Sequence, residues 1–167
     1  MATKEHHFDI SAKVEIQEFK NALEQAKKEI ENRFDFKDDK AKELSFNEKD
    51  KTLTILATSH NKAKSIKDIL DSKLIKRNLS LKVLREQSIE SASGGNTKAT
   101  YKLNDVLDDK NIKTINATIK NEKFKVSTQI LGNEIRIKAK DIDELQKVIA
   151  HLRKIELEVS LSFGNFS

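Results

Sequence analysis

The sequence has no cysteine, no proline and no tryptophan, and each absence narrows what the chain can be. Without a thiol there is no disulfide scaffold, zinc ribbon, iron–sulfur cluster or thiol nucleophile. Without proline there is no proline-rich linker and no cis-proline turn. Aromatic residues make up only 5%, eight Phe and one Tyr, so aliphatic side chains must do most of the packing. No apolar run approaches the roughly 18 residues of a membrane span. The opening Met1–Phe8 carries no hydrophobic leader segment. A soluble, cytoplasmic protein without membrane contact is therefore expected. Lys and Arg number 32 against 27 Asp and Glu, a net +5 that allows an anionic partner without demanding one. Only five of the cations are Arg: Arg33, Arg77, Arg85, Arg136 and Arg153.

The 167 residues suffice for one ordinary domain or for two of about 80 residues each. Hydrophobic period decides between these, because it switches repeatedly between two and about 3.6 residues. Phe8, Ile10 and Ala12 alternate as a strand. Ile16, Phe19, Leu23, Ala26 and Ile30 mark one face of a helix reaching about Arg33. Leu44/Phe46 and Leu53/Ile55/Ala57 alternate around the turn-prone Asn47–Asp50, a hairpin signal. A second helix carries Ala63, Ile66, Ile69, Leu70 and Leu74, with Asn61 as expected N-cap and Asn78 as a left-handed stop. Leu79, Leu81 and Val83 then begin another strand.

The second half repeats this order. Ala99, Tyr101 and Leu103 alternate, and Asp108 or Asp109 can cap a helix bearing Ile112, Ile115 and Ile119. Phe124, Val126, Thr128 and Ile130 read as a strand joined through Gly132-Asn133 to Ile135, Ile137 and Ala139. Asp141 with Glu144 resembles a capping box before Leu145, Val148, Ile149 and Leu152. Leu157 to Phe163 make a last strand. Two copies of β-α-β-β-α-β are the split βαβ pattern. The expected fold is thus α+β, two ferredoxin-like domains over residues 1–92 and 93–167. Each has a four-stranded antiparallel sheet with two helices on one face. Ser91–Thr97 serves either as a linker or as the loop of a long hairpin between 81–89 and 98–103, and exchange of an edge strand between the halves stays open.

No site chemistry of the enzymatic kind emerges. Gly94-Gly95 does not precede a helix and lacks the geometry of a phosphate loop. His6 and His7 are adjacent on a strand and point to opposite faces, and His151 sits near a helix end. The pairs Asp108-Asp109 and Asp141/Asp143 fit helix starts, and Asp38-Asp39 lies in a basic loop. We expect neither enzyme activity, nor metal, nor cofactor. One hairpin is more informative. Alternation places Lys125, Ser127, Gln129, Arg136 and Lys138 opposite the apolar residues, a cationic sheet face suited to phosphate oxygens with Gln129 available to a base edge. The plain alternative is the ordinary solvated face of an antiparallel sheet. Sequence-specific RNA readout needs stacking aromatics on central strands, and the required Gly-aromatic run is missing.

The segments His7–Ser11, Arg33–Lys37, Lys73–Arg77, Lys125–Ile130 and Leu161–Phe166, with Gly132, Arg136 and the helix Leu145–Arg153, occur in an order and spacing similar to the YajQ family. That resemblance covers nearly the whole chain. It implies two ferredoxin-like domains and a non-enzymatic protein that binds a guanine nucleotide or dinucleotide such as cyclic di-GMP, acting in bacterial signalling on a regulatory protein. Binding of tRNA or single-stranded RNA is the alternative, and a protein-interaction domain without a nucleotide ligand the second. Asp38, Asn78 and Ser167 stand where the family commonly has Gly, Gly and Arg. The expected ligand contacts are Arg33, Lys37 and Arg77 from the first half and Lys125, Gln129, Arg136, Lys138 and Asn165 from the second, on an open sheet face or between the domains.

Overall fold

The computed structural model describes residues 4–33, 36–37 and 42–167. The readings on Phe34, Asp35, Asp38 and Asp39 lie outside them. In chain order the elements are β1 (His6–Ser11), α1 (Ile16–Asn32), β2 (Glu43–Asn47), β3 (Thr52–Ala57), α2 (His60–Lys76), β4 (Leu84–Ser91), β5 (Thr97–Leu103), α3 (Asp109–Asn121), β6 (Ser127–Leu131), β7 (Glu134–Ala139), α4 (Ile142–Leu152) and β8 (Ser162–Gly164). The chain folds into two units. One is contiguous, Val14–Asn104; the other joins Met1–Lys13 to Asp105–Ser167.

The contiguous unit holds an antiparallel sheet in the order β2-β3-β5-β4. Alternation sends Leu53 and Ile55 of β3, and Ala99, Tyr101 and Leu103 of β5, to one face. There they meet Phe19, Leu23, Ala26 and Ile30 of α1 and Ile66, Leu70 and Leu74 of α2. The expected helical stripes are therefore the buried ones. The N-cap of α2 is Ser59, not Asn61: Ser59 is extended and its hydroxyl accepts from the Lys62 N–H at 3.1 Å, so Asn61 already lies in the first turn. Asn78 ends this helix with φ +62°, as its residue type suggests. Leu81–Val83 is a 3₁₀ turn instead of a strand, because the Ser80 hydroxyl accepts the Lys82 N–H and closes the chain locally. Pairing starts only at Leu84 and runs to Ser91 against β5. Ser91–Thr97 is accordingly a hairpin connection, with Gly94 and Gly95 both at positive φ.

The discontinuous unit holds the order β6-β7-β1-β8, with β1 antiparallel to both neighbours. Phe8 and Ile10 of β1 are fully buried with Ile135 and Ile137 of β7. Ile112, Ile115 and Ile119 of α3 and Leu145, Val148, Ile149 and Leu152 of α4 complete this core. Asp108 caps α3 by accepting the Asn111 N–H at 2.9 Å. Asp141 caps α4 through the Asp143 N–H, but Glu144 does not close the expected box; its carboxylate accepts the Lys125 N–H at 3.1 Å instead. Phe124 and Val126 pack on the core from outside β6, and the final strand shortens to Ser162–Gly164.

Both units have the four-stranded antiparallel, two-helix layout expected from the sequence, but the halves have exchanged their first strands. The exchanged strands are central, not at an edge, and the division drawn by the contacts is not at 92/93. The short connection after β4 holds β5 beside it, in the central place that β1 would occupy in a continuous first half. β1 completes the other sheet. The contiguous unit is thus a circular permutation of the βαββαβ order, and the discontinuous unit is that order with Val14–Asn104 inserted after its first strand. Among the described residues, no helix is long and apolar enough to cross a membrane.

Two measurements follow from this layout. A chain starting at Val14 removes the central strand of one sheet only; its amide spectrum is expected to keep dispersed resonances for 14–104 and to lose those of 105–167. Second, Tyr101 is 7% exposed, and burial, followed by the charges of Glu86, Asp71 and Asp68, pushes its phenol up to about 12. Its contribution to stability is present below the ordinary value near 10 and is lost as pH rises through about 12. Tyr101 is the only tyrosine and there is no tryptophan, so ultraviolet titration of the phenolate reads it alone. The expected midpoint is near pH 12 in the folded protein and about 10 in denaturant.

Candidate functional site

Each unit packs its helices on one sheet face and leaves the other polar. On the discontinuous unit, register fixes which residues meet there. Gln129, Arg136 and Asp9 stand side by side across β6, β7 and β1, and Ser127, Lys138 and His7 form the adjacent row. Arg136 Nε donates to Asp9 Oδ1 at 2.9 Å and Nη2 donates to Oδ2 at 3.2 Å, a bidentate pair. Asn165 follows β8 in a left-handed conformation, φ +54°, and its Nδ2 donates to Asp9 Oδ2 at 2.8 Å. The Asp9 carboxylate is thus shared by a guanidinium and an amide. The Arg136 bonds hold its carboxyl below the ordinary range, against the opposing effect of burial, with Asn165 and the charges of Arg136 and His7 adding to the lowering. Arg136 is correspondingly held more firmly in its charged form by Asp9.

Two of the guanidinium's five N–H groups go to Asp9, leaving three. Beside it, Lys138 is half-buried and has no ion pair among the described residues. A depression of about 510 Å³ lies where β6 begins, and Lys125, Ser127, Lys138 and Lys140 line it together with Phe124 and Glu144. Among the described residues no Phe or Tyr ring stands in the strand rows of this polar face, where His7 supplies an imidazole. Phe8 packs with Phe163 and Phe166 on the helical side, both centroid distances being 5.9 Å, and Phe124 packs edge-on to His151. A planar ligand in the depression would meet the Phe124 ring among the lysines, and one on the strand rows would meet the Arg136 guanidinium and the His7 imidazole.

Five of the eight expected contacts, Lys125, Gln129, Arg136, Lys138 and Asn165, therefore belong to this one unit and gather on or beside its polar face. The other three lie in the contiguous unit. Arg77 ends α2 and donates to Glu18 and Gln25 of α1, at 3.0 and 3.4 Å, where it ties the two helices together. Arg33 follows α1, pairs with Glu29 at 3.6 Å and lies 5.6 Å from the Phe36 ring. Lys37 is exposed. Arg33 and the Glu18 partner of Arg77 are separated by about 20 Å along α1. The structure does not gather these three residues into one site.

Sequence reasoning missed Asp9, the hub of the polar face. Its position between Phe8 and Ile10 assigns it to that face, but nothing local says that Arg136, 127 residues away, stands opposite. Among the described residues no three His, Cys, Asp or Glu side chains group to hold a metal ion.

A family model described as nucleotide-binding protein YajQ-like matches residues 6–167. The chain belongs to this family. Similar proteins include a nucleotide-binding protein of Campylobacter concisus, 54% identical over 161 residues that span 96% of this chain and 97% of the relative. One from Campylobacter fetus is 52% identical over the same shares, and one from Sulfurimonas denitrificans is 50% identical over 97% and 98%. Family membership agrees with the resemblance found in the sequence and with the paired α+β units seen here.

Replacing Asp9 by Asn is expected to destabilise the protein by about 2 kcal/mol, because Arg136 loses its charged acceptor. Asp9 is lowered in the fold, so its contribution is present above the ordinary aspartate value near 3.9 and is lost as pH falls through the folded value. Chemical denaturation as a function of pH checks this: the difference between wild type and Asp9→Asn should be full at neutral pH and shrink in acid.

Proposed function

We propose that the protein is a non-enzymatic binder of a guanine nucleotide or dinucleotide, with cyclic di-GMP as the ligand its chemistry suits, and that the polar face of the discontinuous unit is the binding surface. The observation that carries this reading is the Arg136 guanidinium, held in place by Asp9 and with N–H groups to spare, beside Lys138, which has no ion pair among the described residues. A fixed guanidinium suits guanine O6 and N7 or a base face, and Lys138 with Lys125 supplies charge for phosphate oxygens. Gln129, next to Arg136 in register, adds an amide donor and acceptor. Two further considerations support the reading: the relatives are called nucleotide-binding proteins, and the surface offers hydrogen-bonding groups without a nucleophile–base pair of the hydrolytic kind. Asn165 contributes by fixing Asp9, a positioning role. Arg77 is engaged between helices and falls outside this surface.

As an effector, the protein would pass ligand occupancy on to a regulatory protein. Binding of tRNA or single-stranded RNA through the positive field is the second reading. It predicts affinity that falls steeply with salt and little preference among short nucleotides.

Calorimetric titration with cyclic di-GMP, GMP and bulk tRNA at two salt concentrations separates these. Saturable cyclic di-GMP binding, weakened about tenfold in Lys138→Ala and also reduced in Gln129→Ala, is the expected result. Salt-sensitive tRNA binding without cyclic dinucleotide binding would move the assignment to the RNA module, and silence with all three would end the nucleotide reading. Arg136→Ala is a poor probe, since it strands the Asp9 carboxylate.

A further inference from the structure

The polar face of the contiguous unit differs from the one just described in how its charges are balanced. On the discontinuous unit the central cation Arg136 stands opposite a carboxylate. On the contiguous unit Arg85 of β4 stands directly opposite Lys102 of β5. Directly opposed residues have Cβ atoms about 5 Å apart, and like charges so placed destabilise a sheet. Neither residue has an ion pair among the described residues. The carboxylates that share this face are placed elsewhere, Glu90 opposite Lys98 and Glu43 opposite Leu56, while Asp50, in the turn between β2 and β3, accepts from Asn47 Nδ2 at 3.1 Å. Glu86 belongs with buried Tyr101 on the helical side.

The surroundings suit an oxyanion. The next row across the sheet is Ser88, Thr100, Thr54 and Ser45, four hydroxyls on four strands. A register shift between Glu86 and Ser88 lets both Arg85 and Ser88 reach this face although they are three residues apart. The cation excess of the whole chain also sits in this unit. Val14–Asn104 carries 19 Lys and Arg against 15 Asp and Glu, while the other unit carries 13 against 12.

We propose that Arg85, Lys102 and the adjoining Ser88 and Thr100 hydroxyls form a phosphoryl-binding site, separate from the Lys138 surface and independent of the reading given for it. The bound group offsets the repulsion between the two cations. Arg85 supplies a planar fork, Lys102 a point charge, and the hydroxyls hydrogen bonds to the remaining oxygens. With no ring among the residues named on this face, such a site recognises the phosphate and not a base. Its source is either a free or terminal phosphate or the diester backbone of a polynucleotide.

The test uses the full chain, with pyrophosphate and an oligothymidylate titrated separately and followed by amide chemical shifts. Saturable shifts centred on Ser88, Thr100 and Lys102, weakened about tenfold in Arg85→Gln or Lys102→Gln and unaltered in Lys138→Ala, are expected. Pyrophosphate binding without oligothymidylate binding assigns the site to free or terminal phosphate. Oligothymidylate binding with a steep salt dependence assigns it to the diester backbone. A second readout needs no ligand: at low salt, relief of the like-charge pair should raise the unfolding midpoint of Arg85→Gln by about 1–3 °C, and the variant should gain less from added pyrophosphate than wild type. If neither anion shifts these amides, or both variants bind as wild type does, the proposal is overturned.

Discussion

The discontinuous unit depends on the pairing of one six-residue strand, β1, with β7 on one side and β8 on the other. Its two alternating sets of side chains serve different ends. Phe8 and Ile10 fill the centre of the core, fully buried against β7 and the helices. Asp9, between them, reaches the opposite face and fixes Arg136 and Asn165. A slip of one residue in register would turn Asp9 toward the core and both apolar side chains to water. The packing of the core and the arrangement of the polar face are thus set by the same pairing.

Local patterns told much about the elements and little about their partners. The stripes of α1 and α4 and the alternation of β3 and β7 were plain because each buries one face against a core, and the helix and strand periods differ. The boundaries that shifted were those decided by side-chain-to-backbone bonds: Ser59 at the start of α2, Ser80 before the 3₁₀ turn, and Glu144 reaching the Lys125 N–H. The exchange of first strands was beyond local pattern altogether. Phe8-Asp9-Ile10 and Ala99-Thr100-Tyr101 have the same period of two, so either could complete either sheet. The tight connection after β4 settles the matter by keeping β5 at hand. Of the candidate site, the cationic residues of β6 and β7 were visible from alternation. Their carboxylate counterpart was not, because it comes from the far end of the chain.

Two sheets of one layout therefore present two chemically different faces. On one, a carboxylate in the adjoining strand orients the guanidinium, and Lys138 has no ion pair among the described residues. On the other, two cations oppose each other beside a row of hydroxyls. Phe8, Phe19, Phe36, Phe46, Phe163 and Tyr101 all belong to the cores or pack against them. The scarcity of aromatics noted in the sequence thus extends to the strand rows of these surfaces, which offer mainly charge and hydrogen-bonding groups.

The place of β1 also bears on how the protein is made. β1 emerges from the ribosome before the other elements described, yet Ile137, which packs against Phe8, is 129 residues further on. At about 5–20 residues per second this partner takes roughly 6–26 s to follow. All of Val14–Asn104 is synthesised in that interval and can fold with no contribution from β1. Until β7 and β8 arrive, Phe8 and Ile10 lack the strands that flank them in the finished sheet, which makes the β1 segment of the nascent chain a natural place for a holdase chaperone to bind.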